Sequence, residues 1–234
     1  MSQLPLALRY PPDQRLETFV MAPAGALAQL QALAFATAGD CPRPDWLYLA
    51  GPAGVGKTHL ALGVCAAAEA AGHRAAYLPL RTAAGRARAA LDALEGSDVV
   101  ALDGIEAIAG NRDDEIALFD FHNRARSAGL ALLYTAQAAP EALALVLPDL
   151  RSRLGQCTRL SLSPLGDDDR RAVLRERAQR RGLILEEPAL DWLLKRVGRD
   201  LVSLTGLLDQ LDRASLAAQR RVTVPFLRQT LGVD

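Results

Sequence analysis

One octapeptide limits the possible folds of this chain more than any other feature. Gly51-Pro52-Ala53-Gly54-Val55-Gly56-Lys57-Thr58 satisfies GxxxxGK[ST] in full. It follows the apolar run WLYLA (46–50) and precedes a helical pattern from Thr58 to Ala71. Strand, glycine loop and helix in that order predict a parallel sheet whose tip opens onto a helix N-terminus. There, backbone N–H groups and the helix dipole favour phosphate. Lys57 is expected to reach the β- and γ-phosphates of ADP or ATP, and the Thr58 hydroxyl to ligate the accompanying Mg²⁺. Of 27 basic residues only Lys57 and Lys195 are lysines, so a lysine in this register is a pointed choice. Lys195, in DWLLKRVG, reads as a solvated helix-face residue.

Beyond that unit the apolar runs AAYLPL (75–80), VVALD (99–103), LALLYT (130–135) and TRLSL (158–162) alternate with helical patterns. These patterns are predicted over 24–38, from the Ala/Arg-rich segment after the second strand to about 95, and over 115–127. Five short strands separated by helices predict an α/β domain with a five-stranded parallel sheet covered on both faces. After Pro164 the strand signal stops, and four helical patterns remain, the first with Asp167, Asp168 and Asp169 where the dipole favours acid. In the third, Leu201, Leu204, Leu207, Leu208 and Leu211 form one apolar stripe. The expected organisation is an extended tail over 1–15, the nucleotide-binding domain over 16–164 and a smaller all-helical lid over 165–234.

VVALD ends in Asp103, about 45 residues after the loop, where a carboxylate can hold Mg²⁺ directly or through water. Nucleotide hydrolases commonly carry a second acid next; here that position is Gly104, so weak self-catalysed hydrolysis is expected. Glu106 reads either as a substitute or as a solvated loop residue. Thr135, with Gln137 beyond it, is placed to sense a γ-phosphate or to satisfy a loop backbone. LPDLRSRLG sets Arg151 and Arg153 at the end of a short helix. Each can bridge to a surface acid, or project to a neighbouring subunit's nucleotide as an arginine finger. The 27 acidic residues balance the basic ones, which argues against blanket neutralisation of DNA phosphates. Cys41, Cys65 and Cys157 lack metal-ligand spacing. No apolar run is long enough for a membrane span and no secretory signal is evident, so a cytoplasmic protein is expected.

In combination, GPAGVGKTHL, VVALDGIEAIAG, LPDLRSRLG and LDQLDRAS resemble the AAA+ module of DnaA-type bacterial replication initiators, and most nearly the Hda family of short regulators that inactivate the initiator. The resemblance spans essentially the whole sequence. It implies a bound ADP or ATP with Mg²⁺, DnaA as partner, and Arg153 as the finger acting in trans. Phe19 and Val20 match the family segment that packs near the adenine. Gln3-Leu4-Pro5-Leu6-Ala7-Leu8 is similar to the family peptide that docks on the DNA polymerase III sliding clamp (beta). There Gln3, Leu4, Leu6 and Leu8 would be the contacts and DNA would be reached only through the clamp. The helix-turn-helix domain of DnaA has no counterpart before Asp234, in keeping with the charge balance. The family's sensor 2 arginine falls at Val202, with Arg199 and Arg196 one to two turns earlier. The expected function is negative regulation of replication initiation, by stimulating hydrolysis of DnaA-bound ATP. The alternatives are an autonomous ATPase of the helicase-loader type, which would need its own hydrolysis, and a small-molecule phosphotransferase, disfavoured by the helical lid.

Overall fold

The computed structural model describes residues 14–19, 23, 25–36, 45–196, 206, 210–211 and 222–231. A short helix α1 (Ala26–Ala34) precedes β1 (Leu47–Ala50), and the glycine loop leads from β1 into α2 (Lys57–Ala70). Then follow β2 (Ala75–Pro79), α3 (Leu80–Ala83), α4 (Ala87–Asp92), β3 (Val99–Asp103), α5 (Arg112–Ala128), β4 (Ala131–Ala136), α6 (Pro148–Gly155) and β5 (Thr158–Ser161). All five strands run parallel in the order β2-β3-β4-β1-β5. Every residue of β1 and β4 is buried, whereas the edge strands β2 and β5 are partly exposed, as a sheet sandwiched between helix layers requires. All five expected strands are present.

The Ala/Arg segment predicted as one helix is instead two. Gly85 adopts a left-handed φ of 78°, and the buried Asp114 carboxylate accepts from Gly85 N (2.6 Å) and Ala87 N (3.0 Å). A carboxylate supplied from α5 thus satisfies the orphan N–H groups at the start of α4 and fixes the break. Helix α5 begins three residues earlier than predicted. Asn111 caps it by accepting from Asp113 N (3.1 Å) and Asp114 N (3.3 Å), and Gly129 ends it at φ 71°.

The described residues through Pro52, together with Lys57–Leu162, form one compact unit; the described residues from Ser163 onward form a second, with which Ala53–Gly56 are grouped. The second unit contains α7 (Asp167–Arg180), α8 (Glu187–Arg196) and α9 (Val224–Leu231). Its interior is built from Val173, Leu174, Leu190, Leu193 and Leu227. Arg171 joins α7 to α8 through Glu187 (3.2 Å) and Asp191. A single parallel bridge pairs Leu185 with Val222, the one strand-like feature described in this otherwise helical unit. The expected third lid helix lies outside the described residues except at Gly206, Gln210 and buried Leu211. No described helix is long and apolar enough to cross a membrane.

Candidate nucleotide site and finger helix

The C-terminal tips of β1, β3 and β4 carry the chemistry. At the end of β1 the chain turns through Gly54 (φ 78°) and Gly56 (φ 100°), conformations that only glycine adopts without cost. Lys57 opens α2, its side chain almost wholly buried, and donates to Gly51 O (2.6 Å) and Pro52 O (2.8 Å). Burial lowers its pKa, opposed by the charges of Glu106 and Asp103. The ammonium therefore rests on carbonyls of the loop that would cradle phosphate.

Thr58 donates to Asp103 Oδ2 at 2.8 Å. The Asp103 carboxylate also accepts from Tyr77 Oη (2.8 Å) and from Thr135 Oγ1. The β3–β4 register sets Asp103 opposite Thr135, so this last bond is built into the sheet. Thr135 is fully buried, and its hydroxyl accepts from Gly104 N (3.0 Å). Of the two readings open from the sequence, the local one describes its contacts here, because the hydroxyl holds Asp103 and the following loop. Tyr77 escaped sequence reading. Its signal was a phenol on a short strand beside the acid-bearing one, and burial together with Asp103 raises its pKa.

Thr58 and Asp103 offer hard oxygen donors side by side, which suits Mg²⁺, an ion that usually keeps waters and takes phosphate oxygens for the rest of its shell. Among the described residues no cluster of three or more His, Cys, Asp or Glu side chains could hold a metal.

Glu106 departs from the solvated-loop reading. It sits in a 3₁₀ turn, Ile105–Ala107, half-buried, and its Oε2 accepts from Gln137 N at 3.0 Å, joining the tips of β3 and β4. Phe19 packs edge-on to His59 of α2 with ring centroids 5.2 Å apart, two residues past Lys57. A Cβ on Gly63 of the same helix would lie 3.0 Å from Leu16 N, so glycine permits the close approach of this segment. Val20, Gln3, Leu4, Leu6, Leu8, Cys41, Arg199 and Val202 lie outside the described residues, as does the Arg196 side chain.

At the opposite end of the sheet α6 carries the two arginines. Arg151 donates to Leu145 O and is tied into its own loop. Arg153 is half-buried and takes part in no salt bridge among the described residues. With Trp46, His122, Arg126 and Cys157 it lines a cavity of about 230 Å³. Arg126 lies over the Trp46 ring at 5.7 Å, and burial pushes the Cys157 thiol up to about 12, which leaves it unreactive. The approach to α6 is fixed by Glu115, fully buried, which accepts from Gly110 N (2.8 Å), Val146 N (2.9 Å) and Leu147 N (2.7 Å).

Two family models match: the AAA family (ATPase family associated with various cellular activities) over residues 47–146, and "Hda, lid domain" over residues 167–231. Among solved structures the chain is similar to domain III of the Thermotoga maritima replication initiation protein DnaA. That match has TM-score 0.76 and 20% identity over 95% of this chain and 97% of that one. It also resembles AMPPCP-bound DnaA from Aquifex aeolicus, with TM-score 0.69 and 19% identity over 88% and 67% of the two chains. A third likeness is to the Thermotoga maritima RuvB Holliday junction branch migration motor, with TM-score 0.65 and 21% identity over 95% and 72%. The parallel sheet with its glycine loop, the AAA match and the Hda lid match together place this chain as an Hda-like AAA+ protein.

Proposed function

We propose that this protein, holding ADP or ATP with Mg²⁺ and docked on the DNA-loaded sliding clamp, stimulates hydrolysis of DnaA-bound ATP and so restrains replication initiation. The observation that carries the reading is Arg153. The nucleotide cradle lies at the C-terminal tips of the strands and Arg153 at their N-terminal end, at least a strand length away, roughly 13 Å for four residues. Its guanidinium has no described acidic partner and is too remote to serve the chain's own phosphates. A cation in that position suits a nucleotide bound by another molecule, where it would stabilise charge that develops only near the transition state.

Each residue has a definable part. Lys57 would leave the loop carbonyls for the β- and γ-phosphates, while Thr58 and Asp103 would hold the Mg²⁺, which would supply charge neutralisation to the phosphates. Glu115 fixes the loop from which α6 starts and hence the position of Arg153. Gln3, Leu4, Leu6 and Leu8 would anchor the tail in the clamp, raising the effective concentration of Arg153 near DNA-bound DnaA without new contacts at the finger. Deleting residues 1–9 and measuring binding to immobilised clamp tests the docking half of the proposal. Loss of binding with unchanged thermal stability is the expected result, and retained binding would move the interface into the folded units.

A further inference from the structure

We propose that Glu106 is the general base for a slow hydrolysis of the chain's own ATP, taking the place of the acid absent at Gly104. This rests on nucleotide binding at the glycine loop but not on the action of Arg153 in trans.

Three observations converge on the Glu106 carboxylate. Gly104 has φ 86°, and a Cβ built on it would meet one neighbour within 4 Å, Glu106 Oε1 at 3.8 Å. The space beside residue 104 is therefore bordered by a carboxylate delivered from two residues downstream. The delivery is rigid: the 3₁₀ turn is pinned by fully buried Ile105, and Glu106 Oε2 is held by Gln137 N. Oε1 accepts no described hydrogen bond, so one oxygen is positioned and the other is available to water. Asp103 is a poorer base, because three hydroxyl groups already donate to it.

In the step so assigned, a water between Glu106 Oε1 and the γ-phosphorus attacks in line. The new P–O bond forms as the bond from the γ-phosphorus to the β,γ-bridging oxygen breaks, and its electron pair leaves with ADP. The water proton passes to Glu106 and from there to solvent, giving ADP and inorganic phosphate with no further reactant. General bases contribute about 10²–10⁴ in rate.

The test loads the intact protein with radiolabelled ATP and Mg²⁺, without initiator or clamp, and follows the bound ATP-to-ADP ratio in a single turnover. Calorimetric ATP affinity and thermal midpoint are measured in parallel. The parent should convert its ATP. Glu106→Gln, which keeps an oxygen for Gln137 N, should hold ATP at least tenfold longer with affinity within twofold of the parent, and Glu106→Asp should fall between them. ATP that is bound but stable in the parent, or equal conversion by both variants, would overturn the assignment of Glu106 alone. Absence of ATP binding to the parent would overturn the Glu106 assignment, and absence of ADP binding as well would overturn the nucleotide-site reading together with it.

Discussion

The two ends of the parallel sheet use polar groups in opposite ways. At the nucleotide end almost every polar atom has a partner inside the chain: Lys57 on two carbonyls, Asp103 on three hydroxyls, Glu106 on a backbone N–H. At the finger end Arg126 and Arg153 line one cavity together with Asp45, and neither arginine forms a described salt bridge, so two cations face one carboxylate. A site that receives a small ligand is preorganised by internal bonds that the ligand can exchange. A surface that serves a second macromolecule leaves charge uncompensated until the partner arrives. On the proposed reading, ligand chemistry lies at one end and partner chemistry at the other.

The largest effect is expected from breaking the finger end. Arg153→Ala should lower stimulation of DnaA-bound ATP turnover by roughly 10³-fold or more while ADP binding and clamp binding stay at parental levels. Arg151→Ala, which loses only its bond to Leu145 O, should change stimulation far less; an order reversed between the two would transfer the role. Next comes Glu115→Ala, which strands three part-buried N–H groups and should cost about 3 kcal/mol in denaturant unfolding. A cost below about 1 kcal/mol would show that water replaces the carboxylate. At the nucleotide end, Lys57→Ala should weaken ADP at least tenfold, about 1.4 kcal/mol, and equal binding by calorimetry would remove the phosphate cradle from the account.

The smallest effect is one of pH. Burial, reinforced by Arg126 and Arg153, lowers the His122 pKa to about 4, against an ordinary value near 6.5. Between those values the unfolded chain binds the proton and the folded chain does not, so His122 contributes stability that is present above about pH 6.5 and falls as pH drops toward 4. From pH 7.5 to 6.0 this should remove at most about 1 kcal/mol. His122→Leu should flatten that part of the urea-midpoint profile, and an unchanged slope would assign it to other groups.

The fold was legible because its strands are short apolar runs bounded by turn residues, and the glycine loop fixed which end of the sheet faces the ligand. Lys57, Thr58 and Asp103 could be proposed from the sequence because a motif names residues whose spacing is dictated by phosphate geometry, and the structure sets Thr58 on Asp103 and Lys57 on the loop carbonyls. Tyr77, Glu115 and the placement of Glu106 were not legible. Apart from Gly110, five residues before Glu115, their partners lie 26 to 32 residues away in sequence and meet through strand register or packing of α5, so no local pattern reports them. The split of the Ala/Arg segment into α3 and α4 was hidden likewise, because the break depends on Asp114 of another helix as well as on Gly85.

The most direct measurement follows labelled ATP pre-bound to DnaA after addition of this intact protein, with and without clamp loaded on DNA. The account predicts conversion to ADP-bound DnaA that requires both the protein and the DNA-loaded clamp. DnaA that retains its ATP in the presence of both would contradict it.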